Sequence, residues 1–230
     1  MGPDFLKPKA PLGEKIQCLS FTKDYFYKNN ISPEKSRILK VFTKFEDIPI
    51  QYMNQVHGNR LETIFSHSSF PIDETDSLFS STSNLALGVL TADCLPIALS
   101  KNDGSEFAML HAGWKGLLSG VIESTLTSFT KGCSDVSAWI GPSISLKNYE
   151  VGNDLYESFI NKDDGSESNF IEKDHDKWLF SLHGEAKRIL GKYDINVDFS
   201  SECTFESESL FSYRRDQTKN RILSIIWRKE

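Results

Sequence analysis

FAMLHAGWKGLLSGVIESTLTSFTKGCSDVSAWI, residues Phe107–Ile140, sets a strand, a glycine-containing turn, a helix and a second strand in one stretch of chain. Phe107–Leu110 is a short apolar run of strand length. His111-Ala112-Gly113-Trp114-Lys115-Gly116 follows, and its two glycines admit close approach or unusual backbone. From there Leu117, Leu118, Val121, Ile122, Leu126 and Phe129 recur at helical spacing, with Ser119, Glu123 and Ser124 on other faces, which predicts a helix over Leu117–Phe129. Val136–Ile140 then reads as a buried strand that Gly141-Pro142 ends. The alternation points to an α/β chain in the mixed α+β sense, with layered mixed β-sheets flanked by helices.

The same reading extends in both directions. Upstream, Ile38–Phe42, Glu62–Phe65, Leu85–Leu90 and Leu95–Leu99 are short and strand-like. Downstream, Val151–Ile160 reads as a helix with Asp154 near its start, Asp163–Ser168 as a polar loop and Leu179–Leu190 as a second long helix. Ile195–Phe199 and Ile222–Trp227 close the chain as strands. Residues 1–36, with the Pro-rich opening Pro3–Pro11, are expected as a partly irregular lead-in packed on the body at 37–230. The whole chain forms one domain, since 230 residues can enclose one sizeable core.

Composition narrows the function. A net charge of -6 with a pI near 5.5 gives no basic footprint for nucleic acid. No run of about 18 apolar residues could span a membrane, and Met1–Gly13 lacks the apolar core of a signal peptide, so a cytoplasmic protein is expected. Cys18, Cys94, Cys133 and Cys203 are too scattered for a ribbon or redox motif and are expected as reduced thiols.

Three short segments carry the candidate chemistry: Gln55-Val56-His57-Gly58, Thr91-Ala92-Asp93-Cys94-Leu95-Pro96 and His111–Gly116. Taken singly, each reactive side chain has a structural explanation: a hydrogen-bonded loop histidine, a buried cysteine, a turn histidine. Together His57, Cys94 and His111 are a soft, nitrogen-rich set suited to zinc, with a fourth position open. Asp93 and Asp76 are candidates for a proton carrier or for the group that orients a ligating histidine.

These residues also carry a resemblance. Asn54–Gly58, Thr75–Leu78 with Thr91–Pro96, His111–Gly116, Ile140–Ile144 with Tyr149–Gly152, and Cys203-Thr204 with Phe211–Asp216 are similar, in order, to the motifs of the laccase-domain family, also called multicopper polyphenol oxidoreductases or YfiH-like purine nucleoside phosphorylases. The resemblance runs from about Arg37 to Trp227. It implies a single YfiH-like domain whose metal is held by His57, Cys94 and His111. It further implies phosphorolysis of adenosine, inosine or methylthioadenosine and deamination of adenosine. The older laccase name implies copper and phenol oxidation.

A phosphorylase needs an anion pocket, and Arg214-Arg215 is the best cationic pair in the sequence, although a surface pair with Asp216 explains it as well. Phe211 and Tyr213 are candidates to stack on a purine or are ordinary strand aromatics. Lys115 stands where the family more often has arginine and is a further candidate contact. The expected partners are a small nucleoside and phosphate, in a monomer or homodimer.

Three other readings use the same residues. Cys94 and His111 could form a metal-free thiol hydrolase, with Asp93 or Asp76 orienting the base. His67 could close a structural zinc shell in a binding module. Copper is possible at the three-ligand site, but five histidines, with His67 and His175 in polar loops and His183 in a predicted helix, are too few for a multicopper cluster.

Overall fold

The computed structural model describes residues 2–230. The chain opens with β1 (Phe5–Leu6), β2 (Ile16–Phe21), α1 (Lys23–Lys28) and α2 (Lys35–Val41). Four short strands, β3 (Lys44–Phe45), β4 (Ile48–Gln51), β5 (Leu61–Thr63) and β6 (Ser77–Ser80), lead to three long ones, β7 (Ala86–Thr91), β8 (Leu95–Lys101) and β9 (Phe107–Ala112). Helices α3 (Trp114–Ser119) and α4 (Val121–Leu126) precede β10 (Val136–Ile140), β11 (Glu150–Gly152) and α5 (Asn153–Lys162). The remainder is β12 (Phe170–Asp174), β13 (Lys177–Phe180), α6 (Leu182–Gly191), β14 (Asn196–Phe199), α7 (Tyr213–Asp216) and β15 (Ile222–Arg228).

The fold is mixed α+β. One six-stranded sheet has the order β1-β2-β15-β7-β4-β3, a second β14-β10-β8-β9-β6-β5, and a small third sheet β11-β13-β12. Side-chain alternation explains how the large sheets stack. On β7, Ala86 and Leu90 pack with Phe26 of α1 and Ile38 of α2, whereas Leu87 and Val89 meet Ala98, Met109 and Trp139 of the second sheet. On β9, Phe107 and Met109 join that core between the sheets, while Ala108, Leu110 and Ala112 pack under Leu117, Val121 and Leu126. Helix, sheet, sheet and helix therefore form successive layers. Because β7, β8 and β9 are buried on both faces, they read as nearly continuous apolar runs.

Register gathers the polar exceptions at one end of this stack. The segment Ala92-Asp93-Cys94 carries the chain from β7 in the first sheet to β8 in the second. Leu95 pairs with Ala112 and Pro96 with His111, so Cys94 emerges beside Gly113. Ile222 pairs with Thr91, which brings Arg221 to the same end. His111, two residues beyond Met109, falls on the face turned toward the other sheet.

Several elements differ from the sequence reading. Ile38–Phe42 is not a strand but the end of α2 and its C-cap, because Ile38 and Phe42, four residues apart, turn to one side and are both buried. The helix expected over Leu117–Phe129 is divided at Gly120, whose φ of +87° ends α3 in the left-handed region before α4 begins. Val151 and Leu179 lie in strands that precede α5 and α6, and Ser181 caps α6 by accepting from the Gly184 N–H. Asp163–Ser168 is largely a 3-10 turn. Within residues 1–36, β2 is an inner strand paired with β15 from Ser20 to Ile16. Among the described residues no helix is long and apolar enough to cross a membrane.

Candidate metal centre and its cavity

His57 lies between β4 of the first sheet and β5 of the second, so it occupies another crossing between the layers. Its φ is +63°, in the left-handed region that non-glycine residues rarely adopt. The reason is the carboxylate of Asp76, which accepts three consecutive N–H groups: Val56 at 3.1 Å, His57 at 3.0 Å and Gly58 at 2.8 Å. Such a converging turn is an anion nest. Asp76 is fully buried, and its Oδ1 also lies 2.7 Å from His111 Nδ1. Burial opposes its ionisation, yet the hydrogen bonds from His111 and the backbone hold the carboxyl below its usual range.

A carboxylate at this position accepts the Nδ1–H of His111, leaving Nε2 as the ring's ligand atom. His57 turns its own Nε2 to within 3.8 Å of Cys94 Sγ, and the two imidazole rings meet edge to face at 4.6 Å. The three ligand atoms lie within 4.8 Å of one another. A tetrahedral zinc with standard bonds separates sulfur and nitrogen ligands by about 3.6 Å, so the donor set fits a zinc ion. The Gly113 position permits this approach: a Cβ there would lie 2.9 Å from Cys94 Sγ and 2.9 Å from His57 Cδ2.

Charge at the centre follows from the same contacts. Burial opposes ionisation of the Cys94 thiol, but His111 and His57 outweigh it and bring the thiol down to about 6. Burial likewise opposes a charged His111, but Cys94 and Asp76 raise it to about 9. The pair therefore favours thiolate and imidazolium at neutral pH.

Asp93 is placed differently. Its φ is +86°, its Oδ1 accepts the Thr204 hydroxyl at 2.6 Å, and its Oδ2 accepts the Arg214 N–H at 2.6 Å. Its carbonyl accepts from Ile144 N–H at 3.1 Å. It braces the Cys94 turn against the Thr204 and Arg214 segments.

The centre forms the floor of a cavity of about 430 Å³, a size suited to a small ligand. Tyr213 and Arg214 line it, with the Arg214 guanidinium 5.1 Å over the Tyr149 ring and bonded to the Glu150 carbonyl. The structure separates three other candidates from it. Arg215 turns inward and donates to the carbonyls of Thr204, Phe205, Ser207 and Leu210, clamping that loop. Phe211 is buried in the core with Phe26 and Leu210. Lys115 is exposed, lies over Trp114 and is absent from the cavity lining. His67 is exposed and stands outside the ligand cluster.

Sequence reasoning missed Lys35, Gln55, Trp114, Tyr149 and Arg221 as lining residues. Three of these sit inside the family motifs, and Arg221 immediately precedes the strand read at Ile222–Trp227; Gln55 clamps both backbone groups of Leu90, at 2.8 and 3.1 Å. Lys35 lies outside every motif, and only the packing of α2 brings it to the cavity.

Residues 28–229 match the family described as multi-copper polyphenol oxidoreductase laccase. The chain is 35% identical over 178 residues to purine nucleoside phosphorylase YfiH of Escherichia coli, covering 76% of this chain and 72% of that protein. It is 34% identical over 216 residues to a purine nucleoside phosphorylase of Haemophilus influenzae, covering 91% and 87%. A Neisseria meningitidis protein of known crystal structure superposes with a TM-score of 0.86 at 25% identity, over 99% of this chain and 100% of that one.

Proposed function

Because this chain belongs to the multi-copper polyphenol oxidoreductase laccase family, we propose that it is a zinc-dependent purine nucleoside phosphorylase acting on adenosine, inosine or methylthioadenosine, with deamination of adenosine as a second reaction. The single observation that carries the reading is an open three-ligand centre at the floor of a cavity walled by Trp114, Tyr149 and Tyr213. The family's relatives named as purine nucleoside phosphorylases support the substrate class.

His57, Cys94 and His111 would hold the zinc, which when bound supplies a Lewis acid. Asp76 acts through them, fixing the tautomer of His111 and the backbone of His57. The aromatic walls offer flat faces for a purine. In phosphorolysis a phosphate oxygen forms a bond to the ribose C1′ as the bond from C1′ to N9 breaks. The electron pair leaves with N9, which takes the phosphate's proton, and ribose 1-phosphate and the free base result. In deamination water supplies the oxygen at C6 and ammonia leaves. Both Asp76 and Asp93 already accept hydrogen bonds on each carboxylate oxygen, so we assign them to holding the site rather than to carrying the proton.

Zinc is proposed over copper because one thiolate and two imidazoles make a single zinc-like set. The cytoplasm is the proposed location, consistent with four unpaired cysteines. The test is incubation of metal-quantified protein with adenosine, with and without phosphate, and separation of products. Adenine with ribose 1-phosphate only when phosphate is present supports phosphorolysis, inosine supports deamination, and neither product overturns the reading. The proximity of Cys94 and His111 also favours a metal-free thiol hydrolase as the second reading. Full turnover in strong chelator, with no metal bound, selects that instead.

A further inference from the structure

Two cations at the cavity stand outside any ion pair, although the carboxylate of Asp76 acts on Lys35 and Cys94 and Asp93 act on Arg221 from a distance. Among the described residues, neither Lys35 nor Arg221 takes part in a salt bridge. Arg221 donates from Nη1 to the carbonyls of Thr218 and Asn220, both at 2.8 Å, and Lys35 has no side-chain hydrogen bond. Both line the cavity. Backbone contacts fix them beside each other: the Arg221 N–H donates to the Pro33 carbonyl at 2.9 Å, the Lys35 N–H to that of Lys219 at 3.3 Å, and Glu34 bridges Asn220. Their like charges repel, and burial together with Arg221 lowers the affinity of Lys35 for its proton. Thr91, in the same lining, has a buried hydroxyl with no partner. Arg214 is already committed to Tyr149 and Glu150, and Arg215 to the loop carbonyls.

Two neighbouring cations without an ion-pair partner and an unpaired hydroxyl are a built receptor for a dianion with several acceptor oxygens. We propose that Lys35, Arg221 and Thr91 form the phosphate subsite of this cavity, holding inorganic phosphate as the attacking co-substrate. The assignment rests on the phosphorolysis reading. It replaces the Arg214-Arg215 pair with residues from α2 and the start of β15. The same chemistry could serve the phosphoryl group of a nucleotide, and the experiment separates the two sources.

Kinetics with adenosine and inorganic phosphate, together with calorimetric binding of inorganic phosphate alone, are measured on wild type, Lys35→Met, Arg221→Gln and the charge-preserving Arg221→Lys. Each neutral variant is expected to raise the KM for phosphate, and its Kd, by about tenfold or more. The KM for adenosine should change less than about twofold, and zinc content not at all. Arg221→Lys should recover most of the phosphate affinity. A phosphate KM and Kd unchanged in both folded neutral variants overturns the subsite. Should those variants unfold, a phosphate affinity in Thr91→Val equal to wild type overturns it equally. Weakened binding of adenosine 5′-monophosphate with unaffected binding of inorganic phosphate overturns the co-substrate assignment in favour of a nucleotide. Wild type that binds phosphate through these residues but forms no ribose 1-phosphate upholds the subsite and overturns phosphorolysis.

Discussion

Asp76 reaches both histidines of the centre with one carboxylate, and two substitutions separate its role from that of the space around it. Asp76→Asn keeps the shape but turns an amide donor toward backbone N–H groups that already donate there. The zinc affinity is expected to fall about 10–100-fold, with a stability loss of about 1–3 kcal/mol from the unpaired buried donors. Competition with a chromophoric chelator and denaturant melts read the two effects separately. Unchanged zinc affinity removes Asp76 from the site's support. Gly113→Ala tests the opposite case. Gly113 has φ -78° and ψ 174°, which alanine adopts freely, so the new methyl acts only through its contact with Cys94 and His57. Stability should change by less than about 1 kcal/mol while zinc occupancy falls. Full occupancy in the folded variant would show that the ligands do not need this approach.

At the scale of elements, α6 contains a titration that helix propensity does not reveal. His183 lies near the start of α6, its ring 3.2 Å from Ser143 Oγ, and burial, with the nearby Lys187, lowers its pKa to about 4. The unfolded chain binds a proton on this residue below about 6.5, whereas the folded protein resists it until about 4. The stability that His183 contributes is therefore complete above about 6.5 and is lost as the pH falls toward 4. Allowing for partial exposure, the difference is on the order of 1–3 kcal/mol. Melts of wild type and His183→Gln across this window should converge with falling pH; parallel curves would contradict the burial argument. The sequence marked this helix by the spacing of Leu182, Ala186, Ile189 and Leu190, but not its start, because Leu179 and Phe180 extend the same apolar pattern backward into β13. The Leu117–Phe129 pattern was legible for the same reason and blind to Gly120: periodicity reports which face is buried, and a left-handed turn between two helices preserves that face. Arg214 and Arg215 show the corresponding limit at the site. Arg214 shares the cavity side of α7 with Tyr213, whereas the carbonyls of the Thr204–Leu210 loop draw Arg215 away, and nothing in the pair's own sequence marks which of the two is taken.

Across the whole molecule, the site lies where chain crossings between the two large sheets converge. His57 is on one crossing, Cys94 on another, and His111 at the end of the strand paired to β8. Each of these residues stands within two positions of a glycine or proline in a recognisable motif, which is why the ligands could be read from the sequence. Lys35 could not, since its place depends on α2 packing over the first sheet and meeting the start of β15. A metal that joins two crossings couples the layers, so its removal has a defined stability signature. Zinc at about 100 times its Kd adds about 2.7 kcal/mol, which for a chain of this size corresponds to roughly 5–10 °C in Tm. Chelation is expected to lower Tm by that amount while far-ultraviolet dichroism at 25 °C stays unchanged, because three packed cores hold the layers without the ligands. Cys94→Ala should melt near the chelated wild type and show no shift on adding zinc. Unfolding at 25 °C on chelation would instead mark a structural zinc, as in a binding module. An intact fold with lost turnover is the outcome that a catalytic centre requires, since the ligands sit at the open end of the core rather than within it.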